Sequence, residues 1–398
     1  MLLAVAFRRV GGLRLRIWQI FVAGAAVVVA AGTIPLRAAL DAVDWNVLGF
    51  LFGVFVLGEG LARSGVLESV SLRVLGRGGS VDRLVLAVLF GSGCASALLM
   101  NDTLAVVGTP LVLGIARRQN LPPVLLLLAL AFGITIGSVT SPIGNPQNLL
   151  IALQGGLAEP FRAFFAALAP PTLACLLVAW VLLRARFADA FRQVLVPVPG
   201  EPIRDPVLAR LAIAGAFAMV ALIVLRVLGP AWIDGWPIPL WAVAAVGCAP
   251  LLAGSRERML LVRRVDWPTL AFFAALFVLM RAVWDTGAVQ SWLPADAAWQ
   301  QDPAMLIGGG ILLSQLLSNV PLVALLLPLI SGASEPALLA LAAGSTLAGN
   351  LTLVGAASNV IIAQAAERDG EHLGFWQFLV IGAPLTLLCA LVYWAFLA

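Results

Sequence analysis

The feature that most constrains this chain is its succession of apolar runs close to 20 residues long. A run of that length, wound as an α-helix, crosses the hydrocarbon core of a bilayer. Uninterrupted runs lie at about 17–34, 45–62, 164–183, 207–228, 237–254, 267–284 and 375–397. Only 11% of the 398 residues are charged and the mean hydropathy is +1.03, so the chain is predicted to be an all-α polytopic membrane protein surrounded by lipid.

Two further apolar segments, at about 122–153 and 336–366, are interrupted by polar residues. The first interruption, residues 138–148, reads Ser-Val-Thr-Ser-Pro-Ile-Gly-Asn-Pro-Gln-Asn. Its prolines cannot continue a regular helix, and broken helix survives in hydrocarbon only against protein or a water-filled cavity. We therefore expect a broken transmembrane helix in each segment. The polar side chains could bind an ion or a small solute, or could only satisfy one another within a kinked helix.

Two longer apolar stretches, 84–115 and 303–333, carry polar residues near their middles. These residues are Asn101-Asp102-Thr103 in the first stretch and Ser318-Asn319 in the second. If the N-terminus is cytoplasmic, the inside loops hold 20 of the 24 basic residues, all of them arginines, which is a strong positive-inside pattern. This orientation places the C-terminus outside and requires each stretch to begin and end on the same side. Both are therefore predicted to be re-entrant hairpins, which gives about ten spans plus two hairpins.

The two halves of the chain resemble each other in sequence. Val43-Asp44-Trp45 returns as Val265-Asp266-Trp267, and Asn101 aligns with Asn319 at an offset of 218. Across the interrupted helices, the residues Gly133, Thr135, Gly144 and Asn148 align with Gly344, Thr346, Gly355 and Asn359 at an offset of 211. An odd number of crossings separates the aligned spans, so the halves are predicted to be inverted. Inverted repeats with discontinuous helices are typical of secondary transporters.

The repeat predicts the division of the chain. An N-terminal half, 1–184, holds a first helix, a scaffold helix, an inner hairpin, a broken helix and a closing helix. A cytoplasmic linker covers 185–206. The inverted C-terminal half, 207–398, contains the outer hairpin 303–333 and the broken helix 336–366.

Several functional classes are disfavoured by what the sequence lacks. It has no lysine, so it offers neither a Walker A loop nor an amine for a Schiff base. Its single histidine, His372, lies in a polar stretch, which does not favour a zinc site or a serine hydrolase in the membrane. The arginines are spread among short loops, unlike a nucleic-acid-binding face. We therefore expect a protein that is not an enzyme and that needs no cofactor beyond a coupling ion.

The chain resembles the ion transporter superfamily, and the residues at the hairpin tips and in the breaks carry this resemblance. The nearest branch is the arsenite-permease and NhaD-type sodium/proton-antiporter group of citrate-transporter-like permeases, distantly similar to the sodium/dicarboxylate symporters. The resemblance covers about 20–397. It implies that the tips and the broken helices bind substrate and sodium. It also implies a scaffold domain that forms a homodimer while an elevator-like transport domain moves. Neither tip here is the full Ser-Asn-Thr of the dicarboxylate relatives.

The chemistry of the first tip centres on Asp102, the only carboxylate in the middle of an apolar hairpin. An ionisable group there should pair with a cation or be protonated, as a residue coupled to H⁺ or Na⁺ must. The alternative is a helix N-cap formed by Asn101 or Asp102. The predicted substrate- and ion-binding residues are Asn101, Asp102, Thr103, Ser141, Gly144, Asn145, Asn148, Ser318, Asn319, Thr352, Gly355, Ser358 and Asn359, of which Asn101, Asp102 and Asn319 are candidate Na⁺ ligands.

These features predict a secondary active transporter, a permease in the inner (plasma) membrane of a bacterium. It would move a small anion or oxyanion, coupled to H⁺ or Na⁺, by an elevator-type mechanism. One alternative is a Na⁺/H⁺ antiporter in which Asp102 binds the two ions in turn. The other is a membrane scaffold protein without transport, which would not need a carboxylate at the tip.

Overall fold

The computed structural model describes residues 9–10, 13–14, 17–76, 78–198, 200, 202–228, 239–287, 297–330 and 332–398. A few sequence-based predictions fall on residues outside these ranges. They include three of the 20 arginines assigned to the inside loops, namely Arg8, Arg16 and Arg77. They also include residues 199 and 201 of the linker, the first two residues of the span at 237–254 and residue 331 of the outer hairpin.

Within the described ranges the chain is almost entirely helical. In the first half the α-helices are α1 (Ile17–Ala30), α2 (Leu36–Ala42), α3 (Trp45–Ser64), α4 (Val66–Leu75), α5 (Val81–Ser96), α6 (Asn101–Arg118), α7 (Pro123–Ser138), α8 (Pro146–Gln154) and α9 (Pro160–Arg186). In the second half they are α10 (Pro206–Leu228), α11 (Leu240–Gly254), α12 (Arg258–Arg264), α13 (Trp267–Asp285), α14 (Pro303–Leu317), α15 (Asn319–Leu326), α16 (Glu335–Leu351), α17 (Ala357–Arg368) and α18 (Phe375–Leu397).

Short elements complete the chain. Strand β1 (Arg9–Val10) pairs with β2 (Leu13–Arg14), and β3 (Gly79–Ser80) pairs with β4 (Val194–Leu195), both antiparallel. The second pair gives regular structure to part of the predicted linker at 185–206, because β4 lies within it. Single 3₁₀ turns cover Ala190–Arg192 and Ala297–Gln300.

The helices confirm an all-α polytopic membrane protein. Five of those described are long and apolar enough to cross a bilayer: α3, α9, α10, α13 and α18. Four shorter apolar helices, α1, α7, α11 and α14, lie among them. The total of about ten spans and the inversion of the halves stay predictions.

Helices α7 and α16 form the centre of the molecule. Every residue in 125–138 and in 337–350 is buried, as expected for helices that are surrounded by protein on all faces. The two helices pack on each other, α5 packs on α7, and α14 packs on α16. These approaches are close enough to require glycine. A Cβ at Gly137 would lie 2.2 Å from the Cα of Gly93, and one at Gly344 would lie 2.6 Å from the carbonyl oxygen of Ile307.

The remaining contacts divide most of the helices into two groups. In one group, α3, α10 and α11 pack on one another and α1 packs on α13. In the other, α5 to α9 and α14 to α18 surround the central pair. One meeting point of the groups is α3 with the start of α6, where a Cβ at Gly58 would lie 3.4 Å from Thr103 Oγ1.

Both broken helices occur where the prolines and glycines predicted them. Helix α7 ends at Ser138 and α8 begins at Pro146, while α16 ends at Leu351 and α17 begins at Ala357. The first hairpin turns earlier than its polar residues imply. Residues 97–100 make the turn, and Asn101-Asp102-Thr103 form the first turn of α6. The short helices α2 and α12 were not predicted from the sequence.

Candidate functional site

The first helix break is held together by the side chains of two asparagines. Asn145 occupies the N-cap of α8, where its Oδ1 accepts the backbone N–H of Asn148 at 2.9 Å. Pro146 follows at the first helical position, where the lack of an N–H costs nothing. The Nδ2 of Asn148 lies 3.0 and 3.2 Å from the carbonyl oxygens of Ser138 and Ser141. One amide thus satisfies carbonyls that the break removes from regular helix.

A threonine from the other half of the chain completes this network. Thr346, on α16, accepts a hydrogen bond from Asn145 Nδ2 at 3.1 Å and donates one to Asn148 Oδ1 at 3.2 Å. Gln147 Nε2 lies 3.4 Å from the same hydroxyl. All four side chains are buried. Thr346 was not among the predicted site residues, although it is a polar residue in an apolar helix and aligns with Thr135 in the repeat.

The tip of the first hairpin joins the same network through Asn101. Its Nδ2 donates to Ser138 Oγ at 3.2 Å, and this hydroxyl also accepts from Asn145 Nδ2 at 3.2 Å. Ser138 Oγ in turn donates to the carbonyl oxygen of Thr135 at 2.9 Å. The buried Oδ1 of Asn101 has no hydrogen-bond partner in the described part of the chain. It is therefore an acceptor available to a ligand.

Asp102 and Thr103 follow Asn101 in the first turn of α6 and are half-buried. The N-cap position is taken by Met100, and no backbone N–H among the described residues is bonded to the carboxylate of Asp102. The helix-cap alternative therefore has no hydrogen bond to support it. Thr103 lies against Gly58 of α3, where the two groups of helices meet.

The second hairpin turns at Ser318, an exposed residue whose φ of +68° is in the left-handed region. Non-glycine residues seldom adopt this region and often do so at functional sites. Asn319 follows as the first residue of α15, and its buried Oδ1 has no partner within the ranges described. Helix α15 packs against α8, and α6 packs against α17. Each hairpin thus contacts the broken helix of the other half.

The second break is bridged by a glutamine of the hairpin. Gln315, on α14, donates to the carbonyl oxygen of Ala348 at 2.9 Å and accepts from Thr352 Oγ1 at 2.8 Å. Asn359 Nδ2 donates to the carbonyl oxygen of Gly349 at 2.6 Å. Gln315 was not predicted, because its role depends on a helix more than 30 residues away along the chain.

The remaining predicted residues line the breaks. Ser141 Oγ accepts the N–H of Ile143 at 3.2 Å. The two aligned glycines fit where a side chain could not. A Cβ at Gly144 would lie 2.6 Å from the carbonyl oxygen of Ser138, and one at Gly355 would lie 2.5 Å from that of Ala348. Ser358 is buried at the start of α17.

The structure thus brings Asn101, Asn145 and Asn148 into one network, with Thr352 and Asn359 at the second break. Asp102, Thr103 and Ser318 lie at the hairpin tips outside these hydrogen bonds. The described residues contain no cluster of three or more His, Cys, Asp or Glu that could hold a metal ion. A cation bound among them would be held mainly by amide, hydroxyl and carbonyl oxygens, which are ligands for hard cations.

Comparison with known proteins agrees with this architecture. The family model described as citrate transporter, CitMHS, matches residues 2–337. The chain is 29% identical over 367 residues to an uncharacterized transporter of Mycobacterium tuberculosis, covering 86% of this chain and 83% of that protein. It is 27% identical over 439 residues to the silicon efflux transporter LSI3 of Oryza sativa subsp. japonica, covering 92% and 88%.

A solved structure shares the fold. The YdaH transporter of Alcanivorax borkumensis matches with a TM-score of 0.57 at 15% identity, covering 96% of each chain. The predicted resemblance is thereby confirmed at the level of citrate-transporter-like permeases. The protein belongs to the citrate transporter (CitMHS) family of membrane transporters.

Proposed function

We propose that this protein is a secondary active transporter that couples the movement of a small anion or oxyanion to H⁺ or Na⁺. The observation that carries the proposal is the pair of aligned asparagines at the hairpin tips. The Oδ1 atoms of Asn101 and Asn319 are both buried and lack a partner among the residues described. An unpaired buried acceptor costs about 1–3 kcal/mol, and a bound cation would remove that cost at both tips.

The helix ends around the breaks favour an anionic substrate. Helices α6, α8, α15 and α17 all begin at a hairpin tip or a break, so their N-terminal N–H groups carry the positive end of the helix dipole. The family description names citrate, a carboxylate anion, and the rice relative is named for silicon efflux. Both names support a small solute. We also propose that the protein belongs to the arsenite-permease branch by its substrate, and arsenite is the substrate that tests this assignment.

Asp102 supplies the property that coupling requires. It is a half-buried carboxylate next to Asn101, and no ion pair to it occurs within the described ranges. A carboxyl group in an apolar hairpin is either protonated and neutral, or charged and paired with a cation. Its occupancy can therefore change with each transport step. The same residue would serve a Na⁺/H⁺ antiporter.

The two groups of helices support an elevator-type movement. The group containing α3, α10 and α11 would be the scaffold and the dimerising part, and the group around α7 and α16 would carry the site. One pair of contacts at aligned positions supports the repeats. Asn148 Nδ2 bonds the carbonyl of Ser138, as Asn359 Nδ2 bonds that of Gly349. We place the N-terminus in the cytoplasm and the C-terminus outside, as the arginine pattern predicts.

Uptake into proteoliposomes tests the proposal. Wild type, Asp102→Asn and the control Asp82→Asn would be compared under imposed Na⁺ or H⁺ gradients, with citrate, smaller carboxylates, arsenite, silicate and inorganic anions. Asp82 lies in the first turn of α5 and pairs with Arg184, so its loss leaves the tip unchanged. We expect gradient-driven accumulation in wild type and Asp82→Asn, which Asp102→Asn loses or uncouples.

The other outcomes have definite readings. Na⁺/H⁺ exchange without anion flux would identify an antiporter. No flux of any solute in wild type would favour the scaffold alternative. Equal coupled transport by Asp102→Asn and wild type would remove Asp102 from the coupling mechanism.

A further inference from the structure

After each break the chain continues in a helix that packs on the central helix of the other half: α8 crosses α16, and α17 crosses α7. The two crossings lie at aligned positions, and they differ. We define the first crossing as Asn145 and Asn148 against Thr346. The second crossing is formed by the aligned residues, Ala356 and Asn359 against Thr135, at the offset of 211. At the first crossing every side-chain nitrogen and oxygen atom of Asn145, Asn148 and Thr346 is hydrogen-bonded.

At the second crossing the side chains that would close the network are shorter. Where the first crossing has Ser138, Asn145 and Gln147, the second has Gly349, Ala356 and Ser358. The amides that donate to Thr346 therefore have no counterpart of equal reach. Within the ranges that the structure describes, Thr135 Oγ1 and Asn359 Oδ1 are both buried without a hydrogen-bond partner. Their side chains are 2% and 0% exposed.

The side chains of Thr135 and Asn359 both lie beside the same residue, Gly349. A Cβ at this glycine would lie 3.1 Å from Thr135 Cγ2 and 3.7 Å from Thr135 Oγ1. The other amide atom of Asn359, Nδ2, lies 2.6 Å from the glycine's carbonyl oxygen. The next residue, Asn350, is fully buried, and its Oδ1 and Nδ2 also have no partner among the described residues. Unsatisfied polar atoms are thus concentrated at the end of α16.

The chemistry of these atoms selects the ligand. Asn359 Nδ2 donates to the carbonyl oxygen of Gly349, and the amide oxygen Oδ1 can only accept a hydrogen bond or bind a cation. Helix α16 ends at Leu351, which places the negative end of its dipole at this point. None of the three side chains is charged, and a divalent ion would need more negative charge than neutral oxygens supply. The ligand that fits is a monovalent cation.

We propose that the second crossing is a binding site for a monovalent cation, with Thr135 Oγ1 and Asn359 Oδ1 among its ligands. This inference rests on the proposed coupled transport and assigns one cation a place between the halves, apart from the hairpin tips. A cation here would join α7 to α17 as Asn145 joins α8 to α16 at the first crossing. The site would therefore order the second break only when the ion is bound.

A single substitution, Ala356→Asn, tests the proposal by copying the first crossing. Ala356 and Asn145 are both N-cap residues with extended backbone, at φ −138° and ψ 146° and at φ −152° and ψ 160°. An asparagine at 356 can cap the N–H of Asn359 and donate to Thr135 Oγ1. Without cations, the variant should melt at a higher temperature than wild type. Its amide should also occupy the cation's place.

The measurement is thermal unfolding of the purified full chain in detergent, in choline chloride and in NaCl, KCl or LiCl, together with ²²Na⁺ binding. Wild type should be stabilised saturably by one of these cations relative to choline. Ala356→Asn and the isosteric Thr135→Val should each weaken the apparent affinity at least tenfold. Thr386→Val is the control, because Thr386 is a buried threonine that donates only to its own helix, at Gly382. It should keep the wild-type cation response.

Three results would overturn the proposal. Wild type without any cation-dependent stabilisation would leave a structural water as the occupant. An unchanged cation response in both Ala356→Asn and Thr135→Val would place the cation elsewhere, as at the hairpin tips. Equal weakening in Thr386→Val would show a general loss of packing. If wild type binds the cation at this site and transports nothing, the proposed function fails while this inference stands. If wild type shows coupled transport while both variants keep the wild-type cation response, this inference fails and the proposed function stands.

Discussion

Thr346 and Thr135 occupy aligned positions on the two central helices, and the same substitution should affect them oppositely. Both side chains are 2% exposed. Valine keeps the shape of threonine and replaces the hydroxyl with a methyl group of similar size, so packing changes little at either position. The difference between Thr346→Val and Thr135→Val in the free energy of unfolding therefore reports the hydrogen bonds alone.

The expected magnitude follows from what each hydroxyl contacts. Removing the hydroxyl of Thr346 leaves Asn148 Oδ1 buried without its partner at 3.2 Å, which costs about 1–3 kcal/mol. Asn145 Nδ2 loses one of its two partners and keeps Ser138 Oγ, which adds about 0.5–1 kcal/mol. We expect Thr346→Val to lose about 1.5–4 kcal/mol. Thr135 Oγ1 has no partner within the ranges described, so Thr135→Val should be neutral or more stable by up to about 1 kcal/mol.

The assay is equilibrium unfolding of both variants in mixed micelles, with choline as the only monovalent cation. Far-ultraviolet circular dichroism and tryptophan fluorescence would follow the same transition. Equal destabilisation by the two substitutions would refute the reasoning, because it would mean that a hydroxyl at either crossing contributes through packing. A Thr346→Val variant as stable as wild type would refute it as well.

Two further predictions concern the packing and the breaks. Gly137→Ala should destabilise the protein by about 1–3 kcal/mol, because its Cβ would lie 2.2 Å from the Cα of Gly93. The control is Gly308→Ala in α14, where the space around the added Cβ is open. In the same thermal unfolding assay, this control should be neutral or stabilising. Asn148→Asp keeps the shape of the side chain but points an oxygen at the carbonyls of Ser138 and Ser141, so the yield of monodisperse protein on size exclusion should fall sharply. A normal yield would mean that the Asn148 amide does not hold the break.

The elements that the sequence predicted well are those whose signal is local. The lengths of apolar runs placed the long spans, and Pro142, Pro146 and Gly144 placed the first break, because each acts on its own backbone. The second break followed from the repeat. The arginine pattern also predicted how the hairpins enter the membrane, an orientation that still awaits measurement.

The features that the sequence did not predict depend on contacts between distant parts of the chain. The roles of Thr346 and Gln315 depend on hydrogen-bond partners that lie far away along the chain. The turn of the first hairpin lies at 97–100, within an apolar stretch, whereas the polar residues Asn101 to Thr103 begin the helix that follows. Polarity at a helix start resembles polarity at a turn, since both contain backbone N–H groups without a partner in the preceding helix.

The closed first crossing has a mechanical consequence for transport. Thr346 belongs to the second half, whereas Asn145 and Asn148 belong to the first, and their hydrogen bonds are buried where water cannot replace them. Sliding α8 past α16 would therefore leave several polar groups unsatisfied in a dry environment, at about 1–3 kcal/mol each. The two broken helices should then move as one body. In an elevator-type cycle, the boundary that slides would include the contact between Thr103 and Gly58. The sliding would also break the exposed hydrogen bond from Gln154 Nε2 at the end of α8 to Asp44 Oδ2 before α3, at 3.2 Å, which water can replace.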